Sequence, residues 1–268
     1  MMRLSEPAPA KLNLALHVRG KLADGRHAIE TVFAFCVDGD RIEVEESDRL
    51  TMTVSGPFSG SVNSGDDNLV LRAAKELAEV SETKAGADLR LFKNLPVASG
   101  IGGGSADAAA TLRLLTRLWN IDPSHAASVA PGLGSDVPAC LLSLAARGEG
   151  AGDQLELLDL GLAGAPVLLV NPLISLSTSE VFAGWDGVDG GPLEGWREGR
   201  NDLEVSARAL VPEIGGVLTW LGNQDGAGIV RMSGSGATCF GLFETEEARD
   251  EAAEACPPNW WHLATVLR

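Results

Sequence analysis

No run of apolar residues in the chain approaches the ~18 needed to cross a membrane. The opening Met1-Met2-Arg3-Leu4-Ser5-Glu6 also lacks the apolar core of a secretory signal. Basic residues are scarce: 21 Lys and Arg face 37 Asp and Glu, the formal net charge is −16, and no Lys/Arg cluster relieves it. Such a field repels nucleic acid and speaks against that class of partner. The four cysteines, Cys36, Cys140, Cys239 and Cys256, show no Cys-x-x-Cys spacing, so neither a disulfide framework nor a zinc site is indicated. Internal repeats are absent as well. The resulting expectation is a cytoplasmic, reduced protein without a membrane or nucleic-acid partner. A small anionic ligand stays open, because a few backbone N–H groups and one lysine can set a local field against the global one.

What is present describes a globular chain. At 268 residues with 45% hydrophobic and 22% charged content it can build one large or two ordinary domains with an ample core. The most informative stretch is Leu95-Pro96-Val97-Ala98-Ser99-Gly100-Ile101-Gly102-Gly103-Gly104-Ser105-Ala106-Asp107, which places four glycines in five positions directly before a helical pattern. Glycines let the backbone take positive φ and approach a ligand. The helix that follows aims unpaired N–H groups and a positive dipole end at the same spot. The stretch therefore predicts a polyphosphate loop. It is not a Walker A loop, which ends in Gly-Lys-Ser/Thr, and it is not the dinucleotide fingerprint, because Ser105 stands where the third glycine belongs. In addition, Asp122 follows a helix, where that fingerprint wants an acidic residue ending a strand. A plain helix start with Ser105 as N-cap needs one glycine or one serine, not four glycines.

Along the chain, Lys11-Leu12-Asn13-Leu14-Ala15-Leu16-His17-Val18 alternates strictly, so Leu12, Leu14, Leu16 and Val18 face a core while Lys11, Asn13 and His17 share the other face. Asp24-Gly25 predicts a turn carrying Arg26 and His27, followed by a strand over 28–37. A second turn at Asp38-Gly39-Asp40 and the segments 41–45 and 50–54 predict an antiparallel meander. Asp66 or Asp67 is placed to cap a helix whose stripe is Val70, Ala73, Ala74, Leu77 and Val80. A strand over 87–92 then delivers the chain to the glycine loop, and a helix runs from Ser105 to about Trp119. Pro138 suits a first helical position, which puts Asp136 at an N-cap. A helix N-terminus also keeps a carboxylate ionised and ready to take a proton.

The glycine-rich segment 147–153 predicts the domain boundary, giving domains of 1–153 and 154–268. Beyond it come a buried strand at 167–170, a capping box of Ser177 and Glu180, and a segment over 184–200 that reads as a mobile loop. A helix is expected over 203–221, and strands at 229–232 and 238–243 flank Ser233-Gly234-Ser235-Gly236-Ala237. That second glycine loop fits a plain hairpin or a ligand-facing nest equally well. Thr245 caps an acidic helix to about Cys256, and a strand over 263–267 closes the chain.

Three separated stretches, Pro9-Ala10-Lys11-Leu12-Asn13-Leu14, the loop from Leu95 to Ala109, and Ser233-Gly234-Ser235-Gly236-Ala237, resemble the three motifs of the GHMP kinases, in matching order across nearly the whole chain. Further detail resembles the branch that phosphorylates the 2-hydroxyl of 4-diphosphocytidyl-2-C-methyl-D-erythritol in the non-mevalonate isoprenoid route. The residues concerned are Asp24-Gly25-x-His27, Gly134-Ser135-Asp136-Val137-Pro138, Glu149-Gly150-Ala151-Gly152 and Ser177-Thr178-x-x-Val181-Phe182. The Gly-Glu-His signature of galactokinases and the Ser-Ala-Asn-Leu-Gly of homoserine kinases do not occur.

The resemblance implies an α+β fold of two domains, the first like domain 2 of ribosomal protein S5 and the second an α/β sandwich, with ATP and Mg2+ as cofactors. It implies that Pro96, Val97, Ala98, Ser99, Gly100, Ile101, Gly102, Gly103, Gly104, Ser105 and Ala106 hold the ATP phosphates, and that Asn68 lies near adenine. Asp136 would take the proton of the acceptor hydroxyl, and Lys11 would hold Asp136 ionised and stabilise the transferring phosphoryl group. Asn13, His27, Thr178, Phe182 and the loop residues Gly234, Ser235 and Gly236 would line the substrate pocket. The family commonly has Asp-Gly-Tyr-His where this chain, which contains no tyrosine, has Arg26, so Arg26 is the candidate to stack on cytosine in its place. No dedicated metal ligand stands out. Another small-alcohol kinase, or a nucleotide-binding relative without turnover, are the alternatives, and the sequence leaves monomer or homodimer open.

Overall fold

The computed structural model describes residues 3–84 and 86–268 and divides the chain into two compact units that interleave along the sequence. The first takes the chain up to Ala10, Asp38–Val97 and Gly102–Ser143; the second takes Lys11–Val37, Ala98–Ile101 and Leu144–Arg268. The units do not part at a single cut near 153. Two long strands, β1 (Arg3–Lys21) and β2 (His27–Ser47), each contribute residues to both.

In the first unit, residues 41–47 of β2 pair antiparallel with β4 (Gly86–Phe92), while β3 (Leu50–Ser55) lies parallel along β4. The meander expected from the sequence is therefore replaced by a parallel edge strand. The turn expected at Asp38-Gly39-Asp40 does not form either, because β2 runs straight through it. Gly39 serves close packing instead: a Cβ there would stand 2.2 Å from the Ala8 carbonyl oxygen and 2.8 Å from the Ala10 nitrogen. Helix α1 (Leu69–Val80) is capped not by Asp66 or Asp67 but by Asn68, whose side chain accepts from Val70 N–H. Its stripe of Val70, Ala73, Ala74 and Leu77 is buried, whereas Val80 at the last turn is 48% exposed. Helix α2 (Gly103–Leu118) follows the glycine loop and buries Ala108, Leu112 and Leu115. Two further helices complete the unit, α3 (Pro123–Leu133), capped by Asp122, and the short α4 (Val137–Leu142).

In the second unit, residues 31–33 of β2 pair with β5 (Ala146–Glu149), which pairs in turn with β6 (Gln154–Leu157). The glycine-rich 147–153 segment is thus the hairpin joining β5 and β6, with Gly152 N–H donating to the Glu149 carbonyl at 3.0 Å. Gly148 is needed because a Cβ would stand 2.6 Å from the Phe33 ring. A separate antiparallel sheet has the order β10-β7-β9-β8, built from β7 (Pro166–Asn171), β8 (Ala227–Met232), β9 (Cys239–Phe243) and β10 (Trp261–Val266). Its core includes Leu168, Val170, Leu176, Val181, Leu203, Ile214, Val217 and Leu221. Fully buried side chains of this size contribute ~1.5–3 kcal/mol each.

Four helices accompany that sheet: α5 (Thr178–Ala183), α6 (Glu204–Leu210), α7 (Glu213–Gly222) and α8 (Glu246–Glu254). The single helix expected over 203–221 is split into α6 and α7 at Val211-Pro212, since proline supplies no N–H and disfavours helical backbone at the residue before it. The segment over 184–200, read from sequence as a mobile loop, is tied down. Arg147 donates to the Leu193 carbonyl at 2.8 Å, Leu193 N–H donates to Glu30 at 2.6 Å, and His17 bridges the Gly191 carbonyl and Arg200 N–H. Among the described residues no helix is long and apolar enough to cross a membrane.

Candidate active site

Helix α2 starts at Gly103, two residues ahead of the expected start, and Gly102 rather than Ser105 is the residue before it, at φ 65°. Ala98 (φ 51°) and Gly100 (φ 78°) share that left-handed backbone. Left-handed residues at alternate positions are how a loop gathers N–H groups around an anion. Within the loop Pro96, Ser99 and Ile101 are buried and anchor it, Val97, Ala98 and Gly104 are exposed, and Gly100, Gly102, Gly103 and Ser105 are half-buried; Ala106 enters the core of α2. The segment leads directly into the N-terminus of a sixteen-residue helix, the end that carries the positive pole of the helix dipole.

In the second unit, three stretches far apart in sequence meet on one hydroxyl. Ser233 Oγ accepts from Asn13 N–H at 3.2 Å and donates to the Gly100 carbonyl at 3.0 Å, so it joins β1, the first glycine loop and the second. Lys11 N–H donates to the Ile101 carbonyl at 2.9 Å, and Thr238 N–H donates to the Ser99 carbonyl at 3.1 Å. The second loop is the hairpin between β8 and β9, closed by Ser233 N–H on the Thr238 carbonyl at 2.9 Å. It packs on the first loop so closely that a Cβ on Gly100 would lie 2.5 Å from the Ser233 carbonyl oxygen and 2.6 Å from that of Gly236. A Cβ on Gly234 would lie 2.8 Å from the Gly100 carbonyl oxygen. Gly234 is therefore a glycine because two backbones touch, whereas a Cβ on Gly236 would meet the Met232 sulfur at 2.7 Å. Asn201 holds the same hairpin, donating to the Met232 and Gly234 carbonyls at 2.8 Å each.

The alternation of β1 presents Lys11 and Asn13 together, as expected. Lys11 Nζ donates to Asn13 Oδ1 at 2.7 Å, Asn13 Nδ2 donates to the Thr31 hydroxyl at 2.8 Å, and that hydroxyl donates to the Ala15 carbonyl at 2.6 Å. Lys11 and Asn13 are each only 3% exposed, and the ammonium lies 5.3 Å from the Phe33 ring centroid. This line of hydrogen bonds fixes which way the Asn13 amide faces and holds a buried cation in one place. Thr31 was not singled out in the sequence, where it lies inside a mostly apolar strand.

Beneath α2, in the first unit, the sequence reading missed a buried ion cluster. Lys93 Nζ donates to Asp40 Oδ2 at 2.5 Å and to Asp107 Oδ2 at 2.7 Å. Asp40 Oδ1 in turn accepts from Asn94 and Leu95 N–H, at 2.6 and 2.8 Å, and so fixes the start of the glycine loop. Asp107 Oδ1 is buried with no hydrogen-bond partner among the described residues. One cation between two buried carboxylates leaves a net negative charge, and burial pushes the Asp107 carboxyl up to about 7, against the opposing pull of Lys93. Burial works to lower Lys93, but the two carboxylates outweigh it and raise its pKa.

A group of rings gathers in the second unit. His27 lies 4.8 Å from Phe182 with a 31° tilt and 5.7 Å from Trp185 edge-on, measured between ring centroids. Burial, with help from the Lys21 charge, lowers the His27 pKa, so its imidazole is neutral at neutral pH. Thr178 shares a hydrogen bond with the Ser235 hydroxyl at 2.9 Å. Arg26 points elsewhere: its guanidinium bonds Asp24 at 2.8 Å and reaches Asp153 at 3.5 Å, with half of the side chain in solvent. Asp136 occupies the residue before α4, as its position ahead of Pro138 predicts, but its carboxylate makes no capping bond to that helix. The Asn68 amide is engaged in capping α1 and in donating to the Asn63 carbonyl at 2.6 Å.

The joining of the Lys11 strand, the glycine loop and the Ser233 hairpin is accompanied by a match to known proteins. The model of the GHMP kinases N terminal domain matches residues 68–144, and that of the GHMP kinases C terminal matches residues 193–262. A 4-diphosphocytidyl-2-C-methyl-D-erythritol kinase of Rhizorhabdus wittichii is 50% identical over 281 residues, covering 100% of this chain and 96% of the relative. The chain belongs to the GHMP kinase family. A kinase of the same name from Novosphingobium aromaticivorans is 49% identical to this GHMP kinase, with coverage of 100% and 94%. A crystal structure of a 4-(cytidine 5'-diphospho)-2C-methyl-D-erythritol kinase superposes with a TM-score of 0.84 at 33% identity, covering 98% of this chain and 99% of that one. The homoserine kinase of Cytophaga hutchinsonii shares the fold, at a TM-score of 0.74 and 16% identity, with coverage of 99% and 95%. The two-domain fold of mixed helices and sheets expected from the sequence is thus the fold of this GHMP kinase.

Proposed function

We propose that this GHMP kinase transfers the γ-phosphoryl group of ATP to the 2-hydroxyl of 4-diphosphocytidyl-2-C-methyl-D-erythritol. The reading is carried by the buried Lys11–Asn13–Thr31 line on a strand stitched through Ser233 to both glycine loops, in a chain matched over its whole length by kinases of that name. Phosphoryl transfer asks a protein for positioning and charge stabilisation more than for covalent chemistry. The loop from Pro96 to Ala106 receives the phosphates, and Asn68 borders the adenine. Asp136 accepts the hydroxyl proton, the freed oxygen bonds to the γ-phosphorus, and the bond to the bridging oxygen breaks to release ADP. Lys11 offsets charge on the moving phosphoryl group. His27, Phe182, Thr178, Asn13 and the Ser233–Ala237 hairpin border the acceptor.

Magnesium accompanies ATP in this reading and neutralises charge on its β- and γ-phosphates. No group of three or more His, Cys, Asp or Glu suited to a metal lies among the described residues, so the ion would take its ligands chiefly from phosphate oxygens and water.

The test is ADP release from MgATP with three acceptors: 4-diphosphocytidyl-2-C-methyl-D-erythritol, mevalonate and homoserine. Turnover is expected with the first alone; turnover with mevalonate or homoserine instead would replace the acceptor. Asp136→Asn should lower kcat by about a hundredfold or more, the usual size of an acid–base contribution, while ATP affinity holds. Near-normal turnover in that variant would remove Asp136 from the base role.

A further inference from the structure

We propose that Trp185 is a wall of the pyrimidine site, supplying the ring face that position 26 does not supply in this chain. The inference rests on the cytidine-linked acceptor proposed above. Its basis is where the rings and the charges lie. A pyrimidine nucleoside diphosphate is recognised through a flat π-face and an edge of donors and acceptors. Arg26, on the same turn as His27, is held by Asp24 and Asp153 and half exposed. Trp185 instead lies edge-on to His27, and Phe182, three residues before it at the end of α5, lies tilted against the same imidazole.

Trp185 is also held in position. Its indole packs partly buried against the core of the second unit, and its backbone N–H donates to the Phe182 carbonyl at 3.2 Å. The preceding Gly184 lets the end of α5 approach α6, since a Cβ there would stand 2.2 Å from Ser206 Oγ. Ser206 in turn donates to the Val181 carbonyl at 2.7 Å. The end of α5, and with it the backbone that carries Trp185, is thereby fixed against α6.

The 4.8 Å between His27 and Phe182 leaves no room for a base between them. A pyrimidine therefore stays outside that pair and takes the indole of Trp185 as its wall. Neutral His27, with one donor and one acceptor nitrogen, then meets the edge of the base.

The experiment titrates the full chain with CDP and, separately, with ATP, for wild type, Trp185→Ala, Trp185→Phe and Arg26→Ala. Trp185→Ala should weaken CDP binding by about ten- to a hundredfold, the size of one base–aromatic stack, and leave ATP affinity unchanged. Trp185→Phe should retain most of the affinity, and Arg26→Ala nearly all of it. Indole fluorescence gives a second readout that does not depend on the alanine variant folding: CDP should change the emission of wild type, and that change should vanish in Trp185→Phe. Wild-type affinity for CDP in a folded Trp185→Ala, or a loss in Arg26→Ala as large as that in Trp185→Ala, overturns the assignment. If wild type itself fails to bind CDP, the acceptor reading falls and the Trp185 assignment with it.

Discussion

Lys11 owes its place to a two-residue repeat. Leu12, Leu14 and Leu16 are buried on one face of β1, which sends Lys11 and Asn13 to the other, and there they form the pair that alternation predicts. Ser233 was not legible in the same way, because its meaning comes from Asn13 and Gly100, 220 and 133 residues away. Its hydroxyl is wholly buried and used twice. Ser233→Ala would leave a buried N–H and a buried carbonyl short of a partner, so stability should fall by ~1–3 kcal/mol in urea unfolding, with a raised KM for ATP. An unchanged midpoint and KM would mean that the stitch is dispensable. Lys93 was hidden for the same reason, since its partners Asp40 and Asp107 come from another strand and a helix. Lys93→Met strands two buried carboxylates and should cost about 3–5 kcal/mol, the usual penalty for breaking a buried pair from one side.

At the scale of elements, local signals did well where one cause acts locally. Ser177 and Thr245 cap the helices they precede, and the glycine loop opens a helix. They misled where one residue serves two physical ends: Gly39 looks like a turn and is a close approach, and Pro212 breaks a hydrophobic phase that otherwise runs on. The start of α2 carries a pH-dependent contribution. Asp107 has a usual carboxylate pKa of 3.8 when unfolded and about 7 when folded, so the native state binds the extra proton between these values. The contribution is fully present below about pH 4 and is lost as pH rises through about 7. Asp107→Asn keeps the Lys93–Asp40 pair and removes the excess charge. The variant should gain on wild type as pH rises from 4 to 8, by a few kcal/mol at most. A stability difference flat across that range would show that Asp107 is ionised throughout. Gly100→Ala tests the packing of the two loops. Its left-handed φ and the two carbonyls within 2.6 Å of the added Cβ leave no relaxed arrangement, so ATP binding should be lost or the fold markedly weakened.

For the molecule as a whole, the resemblance carried by three motifs in matching order was enough to expect an α+β kinase fold, and relatives at 50% and 49% identity over the whole chain agree. The way the chain divides was not legible. A glycine-rich stretch looks like a linker whether it joins domains or turns a hairpin, and here it turns the β5–β6 hairpin, while β1 and β2 carry the chain through both units. The strong negative charge likewise does not exclude an anionic nucleotide, because a few backbone N–H groups and a lysine can set a local field against the global one. The central claim concerns where the phosphoryl group goes, and phosphorus NMR of the product formed from MgATP and 4-diphosphocytidyl-2-C-methyl-D-erythritol tests it directly. The account predicts one new phosphomonoester on the 2-oxygen, formed in equal amount to ADP, with the diphosphate bridge intact. ADP appearing with inorganic phosphate and no new ester, or an ester on a different oxygen, would contradict it.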